Sequence, residues 1–192
     1  YFLITIACIT ILAPFSIDAY IPASVDIANA LQASENLVQV SIAIFLLGFS
    51  LGPLIFGPLS DAFGRRKLIY LSLLMFSFFS LLCCFSFNIY LLILFRFFQA
   101  VSGSVSTVCG RAAIADLLSG NELAKKYSLL GLILTIAPIL APIIGGWINE
   151  IFGWRYIFIF MTAFGLFFVS ISFIFIPETL EYDKRIKFSF KG

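Results

Sequence analysis

The sequence predicts an all-α membrane protein of six transmembrane helices built as a three-plus-three inverted repeat. Three observations lead there. The 192 residues are 61% hydrophobic and only 11% charged, with a mean hydropathy of +1.09, far more apolar than a soluble domain of this length. Six apolar stretches each approach the ~20 residues needed to cross a hydrocarbon core. One loop pattern occurs twice, three spans apart.

The stretches fall at residues 1–22, 37–60, 68–87, 90–114, 127–148 and 154–176. Lipid offers the backbone no hydrogen-bond partners, so spans must be helices or a closed barrel, and long continuous apolar runs without dyad alternation exclude the barrel. The first stretch is too long for a signal-peptide core and lacks a small-residue cleavage pattern, so it reads as a retained span. Because the chain opens on Tyr1 and not on Met, further residues are expected upstream. Residues 1–180 are assigned to the bundle, and the charged residues 181–192 to the start of a cytoplasmic linker.

Charge sets the orientation. Nine of the twelve Lys and Arg residues lie in three loops: Arg65, Arg66 and Lys67; Lys125 and Lys126; and Lys184, Arg185, Lys187 and Lys191. The opposite loops hold only Arg155. By the positive-inside rule those three loops and both termini are cytoplasmic.

The repeat sets Ser60-Asp61-Ala62-Phe63-Gly64-Arg65-Arg66 over Asn149-Glu150-Ile151-Phe152-Gly153-Trp154-Arg155, an offset of 89 residues. Both read acid-x-Phe-Gly-x-Arg. The same offset places Gly52-Pro53 on Ala141-Pro142, Gly57 on Gly146 and Gly48 on Ala137, so the match runs back into the preceding helix. A unit of three helices is odd, so its second copy enters the membrane from the other side. Inverted repeats of this kind recur in secondary transporters, where they build a midplane binding site and permit rocking.

The segment Gly57-Pro58-Leu59-Ser60-Asp61-Ala62-Phe63-Gly64-Arg65-Arg66-Lys67 resembles the signature G-x-L-x-D-x-x-G-R-[RK]-x of the major facilitator superfamily. Gly64 permits a tight turn, Asp61 sits between two helices, and the cations hold the inner membrane surface. The resemblance gives Asp61 and Arg65 a role in a charge network at the cytoplasmic junction of two transporter halves. Arg66 shares the motif, and Arg111 and Asp116, at the inner end of the fourth span, are placed at the right depth to complete the network.

The fifth span carries Ala137-Pro138-Ile139-Leu140-Ala141-Pro142-Ile143-Ile144-Gly145-Gly146, similar to the superfamily's antiporter motif ending in G-P-x-x-G-G, with Ala141 in place of the first glycine. Ala137, Ala141 and Gly145 form one helical stripe and Pro138, Pro142 and Gly146 an adjoining one, giving a kinked helix that a neighbour can approach closely. Arg96-Phe97-Phe98-Gln99 resembles the proton-transfer motif R-x-x-Q-G, with Ala100 where that motif has glycine. Asp18-Ala19-Tyr20-Ile21-Pro22, Gly153-Trp154-Arg155 and Pro177-Glu178-Thr179-Leu180 extend the resemblance along the chain, toward the bicyclomycin/chloramphenicol-resistance (Bcr/CflA) drug-efflux subfamily.

What the resemblance implies is half of a twelve-helix fold in a bacterial inner membrane, partnered by a C-terminal six-helix half. It further implies a secondary active transporter that exports drugs or small amphipathic compounds by proton antiport, with the proton gradient as coupling ion and no cofactor. Transport of a polar metabolite in either direction, and a non-transporting truncated half, stand as alternatives.

Asp18 and Arg96 are the charges set deep in predicted spans, each costing about 2.5–3.5 kcal/mol if it faced lipid near the bilayer centre. They must face inward, and their depths agree. Two arrangements are open: a structural ion pair, or a switch in which Asp18 takes up the coupled proton and releases Arg96, with Gln99 hydrogen-bonding in support. The chain has no histidine, no Cys-x-x-Cys among Cys8, Cys83, Cys84 and Cys109, and no nucleophile–base pair of recognisable spacing. It is therefore read as no enzyme, with no metal site and no nucleic-acid partner.

Overall fold

A computed structural model describes residues 2–178. The linker residues 181–192 and the last two residues of Pro177-Glu178-Thr179-Leu180 lie outside the described residues. Helix α1 (Phe2–Tyr20) passes through a 3-10 turn (Ile21–Ala23) into the short α2 (Ser24–Ala30), and together they form the first span. The other five are α3 (Glu35–Phe63), α4 (Arg65–Cys84), α5 (Ile89–Leu117), α6 (Gly120–Phe152) and α7 (Arg155–Phe175). Pro22 has no N–H to give, so the backbone ladder cannot pass unbroken at that point and the chain tightens to 3-10 geometry.

Several helices outrun the apolar stretches that announced them. Helix α6 begins at Gly120, well before residue 127, and so includes Lys125 and Lys126, while α5 runs on to Leu117. Hydropathy marks the part of a helix that lies in lipid, and a helix continues into water for as long as nothing stops it.

The inverted repeat is present in the backbone. Gly64 (φ 95°, ψ 148°) and Gly153 (φ 93°, ψ 163°) join the second span to the third and the fifth to the sixth with one conformation, which L side chains rarely adopt. Helix α3 packs chiefly on α5, and α6 on α1; exchanging the two copies converts one pair into the other. Helices α4 and α7 lie against each other.

Lipid is as apolar as leucine, so close packing and not hydrophobic burial holds such a bundle together. Small residues therefore sit at the crossings. A Cβ on Gly48 would lie 2.6 Å from the Phe97 carbonyl oxygen of α5, and one on Gly52 would lie 2.8 Å from that of Val101. Ile6, Ile9, Leu12, Leu73, Phe76 and Leu92 are fully enclosed between the helices.

Candidate transport site and cytoplasmic junction

Helix α5 carries Arg96 into the centre of the bundle, where its side chain is wholly buried. Three rings enclose the guanidinium: Phe45 of α3 at 4.1 Å, Tyr20 of α1 at 4.4 Å and Phe158 of α7 at 5.9 Å from ring centroid to Cζ. Its Nη1 donates to the Ser16 carbonyl oxygen (3.4 Å), Ser16 Oγ (3.1 Å) and Gln99 Oε1 (3.1 Å). Gln99 Nε2 donates to Ser80 Oγ (2.7 Å), which donates to the Phe76 carbonyl oxygen (2.7 Å). A chain of hydrogen bonds thus ties α1, α5 and α4 together around one cation.

Among the described residues no carboxylate pairs with it. There Arg96 Nε and Nη2 find no hydrogen-bond acceptor, and π faces and neutral oxygens carry the compensation. Ser41 Oγ donates to the Val38 carbonyl oxygen (2.6 Å), leaving Tyr20 Oη as donor in its 2.7 Å bond to Ser41 Oγ. That bond fixes the tyrosine ring over the guanidinium.

Asp18 lies at the depth of Arg96 and on another face. Ser16 and Tyr20, four apart on α1, both point at Arg96; Asp18 stands two residues from each, about 200° of rotation away. It borders an open-sided concavity of about 280 Å³ with Pro14, Ile17, Leu46 and Phe49. Among the described residues it has no ion pair. Of the three residues expected together, the structure joins Arg96 and Gln99 and sets Asp18 apart, so the structural ion pair is absent from this arrangement. The missed partners are Ser16, Ser80, Tyr20, Phe45 and Phe158; only the i, i+4 relation of Ser16 and Tyr20 was open to a sequence argument.

At the junction after α3, Arg65 gathers its partners. Its Nη1 meets Asp61 Oδ1 at 2.5 Å and also donates to Ser60 Oγ, while Nε meets Asp116 Oδ2 at 3.2 Å. The Arg65 backbone N–H, at the start of α4, donates to Glu178 Oε1 at 3.0 Å. A carboxylate there satisfies an orphan donor and complements the helix dipole. Glu178 is a junction residue that charge patterning alone does not single out. Arg66 turns away from this cluster, donating from Nε to Tyr70 Oη (2.5 Å) and from Nη2 to the Phe173 carbonyl oxygen (3.0 Å).

Arg111 corrects the expected network. Its side chain is exposed and forms no ion pair among the described residues, and its carbonyl oxygen accepts from Tyr127 Oη at 3.0 Å. Arg111 precedes Asp116 by five residues, more than one helical turn, so depth and facing separate them. Gly57 has open space where a Cβ would stand.

On α6 the stripe Ala137, Ala141 and Gly145 is buried, while Pro138 is exposed and Pro142 and Gly146 are half-buried. Gly145 rests on the backbone of Ala19, so that any Cβ would overlap the Ala19 carbonyl group. A Cβ on Gly146 would meet Pro22 at 3.8 Å. The proline-bearing helix therefore seats directly beside the turn of α1 that carries Asp18.

Residues 6–191 match the Major Facilitator Superfamily. The chain belongs to that superfamily. It is 40% identical over 180 residues to the uncharacterised MFS-type transporter YdgK of Bacillus subtilis, covering 93% of this chain and 45% of the relative. It is 34% identical over 185 residues to the bicyclomycin resistance protein homolog of Haemophilus influenzae, covering 96% and 46%. The chain thus spans about half the length of the curated relatives it matches. Two solved structures share its fold: the human organic anion transporter MFSD10 (TM-score 0.77, 18% identity, 99% of this chain and 51% of that one) and a bacterial homolog of the human lysosomal transporter Spinster (0.77, 20%, 93% and 43%).

Superfamily membership and six membrane-length apolar helices make this a multi-pass membrane chain of the major facilitator fold, and point away from an enzyme. As a facilitator half it presents α3 and α6 with long apolar flanks: Leu54, Ile55, Ile139 and Ile143 are all more than half exposed.

Proposed function

We propose that this chain is part of a secondary active transporter that exports small amphipathic compounds, drugs among them, by proton antiport. The observation that carries the reading is the seat of Gly145 on Ala19, which couples the Pro138–Pro142 helix to the turn bearing Asp18. Movement of α6 across that contact moves Asp18. The likeness to a bicyclomycin resistance protein homolog supports drug export.

Asp18 then carries or senses the coupled proton, and Arg96 tunes it through its bonds to Ser16, two residues from Asp18 on α1. A carboxyl group at the open concavity exchanges a proton with the cavity, and movement of α1 changes its distance from the sealed cation. Arg65, Asp61, Asp116 and Glu178 hold the junction shut on the cytoplasmic side, with both termini in the cytoplasm of a bacterial cell and a C-terminal six-helix half closing the cavity. The ring enclosure of Arg96 leaves a polar metabolite no access to that charge, which favours amphipathic cargo.

The test is dye or drug accumulation in an efflux-deficient bacterium expressing the protein with its native downstream residues. Lower accumulation that rises on uncoupling supports proton-driven export, and Asp18→Asn should abolish the effect while leaving membrane insertion intact. Unimpaired export by the Asn variant would overturn the role given to Asp18; no export by the wild type would overturn the function.

A further inference from the structure

A groove of about 230 Å³ runs between α1, α6 and α7, its walls including Cys8, Phe15, Ile133, Ala137, Leu140 and Phe164. Every lining side chain is apolar or a thiol. In the other copy Met75 stands where this one has Phe164, and the crevice it borders between α3, α4 and α5 leaves only about 30 Å³ open.

The groove has a charged end. Residues 126, 130, 133, 137 and 140 follow the alternating spacing of four and three that keeps one face of a helix, so Lys126 lies on the groove's own stripe of α6, about 10 Å along the axis from Ile133. Lys125 pairs with Glu122 at 3.3 Å, and Lys126 forms no ion pair among the described residues. Arg111, also exposed and unpaired among the described residues, is brought to this end by the Tyr127 bond to its carbonyl oxygen.

We infer that this groove binds an anionic phospholipid, with one acyl chain against Ile133, Ala137 and Leu140 and the phosphate on Lys126. Charge complementarity selects the head group, because basic residues at the inner ends of spans attract anionic lipids. Shape selects the tail. A helix from another half is a cylinder of roughly 10 Å diameter with its side chains, whereas about 230 Å³ of open space bordered by Ile136 and Leu140 suits a flexible chain. The lipid braces α6 against α1 and α7 where the protein's own side chains leave a gap.

The full-length protein in nanodiscs of phosphatidylcholine, with or without phosphatidylglycerol, supplies the test. Native mass spectrometry should show phosphatidylglycerol retained in preference to phosphatidylcholine. Lys126→Gln should reduce that preference about fivefold, the effect of one cation near an anionic surface, and Ile136→Trp should reduce retention of both lipids. In the wild type, Cys8 lines the groove half-buried, whereas Cys83, Cys84 and Cys109 are buried. Alkylation of Cys8 by an apolar maleimide, mapped by peptide mass, should therefore slow when phosphatidylglycerol is present, a readout that survives even if a variant fails to fold. Equal retention of both lipids, a preference untouched by Lys126→Gln, or protection of Cys8 that ignores lipid composition because the C-terminal half covers it, would each overturn the inference.

Discussion

Arg66 and Arg155 make the same contact at opposite ends of one helix pair. Arg66, at the start of α4, donates to the Phe173 carbonyl oxygen at the end of α7, and Arg155, at the start of α7, donates to the Ser86 carbonyl oxygen just past the end of α4 (3.2 Å). Each supplies a donor and a positive charge to carbonyls a helix terminus leaves unpaired. Each guanidinium also lies over rings, Tyr70 and Phe173 for Arg66 and Trp154 for Arg155.

Replacing either arginine by alanine should cost about 1.5–3 kcal/mol, the range for a hydrogen bond from a charged donor. The sites lie at opposite membrane faces and share no partner, so the double variant should lose the sum of the two. Thermal unfolding of the purified protein checks this; a double variant no worse than either single one would show that the two ends are not independent clamps.

Gly145→Ala should separate α1 from α6. The added Cβ has nowhere to go but into the Ala19 backbone, and overpacking of this kind costs about 1–3 kcal/mol. Gly131→Ala, on the same helix with open space around it, should gain roughly 0.5–1 kcal/mol from helix propensity. Opposite shifts in melting temperature are the expected result.

Much of this architecture is written in the sequence because it depends on local chemistry. Span existence follows from hydropathy, and Gly64 and Gly153 had to be turn residues because only glycine takes that φ cheaply. Depth is equally legible, since residues along a helix count 1.5 Å each. Facing is not. Asp18 and Arg96 share a depth and point apart, because the rotation of α1 is set by Gly145, Phe45 and Phe158, all on other helices. Arg111 and Asp116, by contrast, share one helix, and their spacing of five residues sets their facing by local geometry. Glu178 is legible only within its motif, and its place at the junction is not, because a bond from a backbone N–H, here that of Arg65, shows in no pattern of charges.

Gln99→Glu should stabilise the bundle and stop transport. It sets a carboxylate where the amide oxygen now lies 3.1 Å from Arg96 Nη1, and so supplies the missing counter-ion. The bond to Arg96, already made by a charged donor, gains a full counter-charge. Breaking a buried pair of that kind costs about 3–5 kcal/mol, less about 1 kcal/mol for the lost Gln99 Nε2 bond to Ser80 Oγ. Fixing Arg96 by that margin should raise the melting temperature and lower export about tenfold or more, because about 1.4 kcal/mol in favour of one state is a factor of ten. Export at the wild-type rate would show that Arg96 does not take part in coupling.

The junction should separate strong from weak charges. Arg65 and its partners are shielded, with side-chain exposures of 10% for Arg65, 24% for Asp116 and 39% for Asp61, whereas Lys125 and Glu122 stand at 73% and 60%. Exposed pairs of the second kind contribute about 0–1 kcal/mol and fade with salt. Lys125→Gln should therefore leave unfolding almost unchanged. Asp116→Asn removes one of the two carboxylates on the Arg65 guanidinium and should cost about 1–3 kcal/mol, the penalty for leaving a shielded donor poorly matched. Asp61 remains to hold Arg65, so the second loss, in Asp61→Asn combined with Asp116→Asn, should exceed the sum of the single losses. Melting temperatures at low and high salt distinguish the cases: a loss in Asp116→Asn that vanishes at high salt would place this cluster among ordinary surface pairs, and a loss that persists would mark it as the structural lock between α3, α4 and α5.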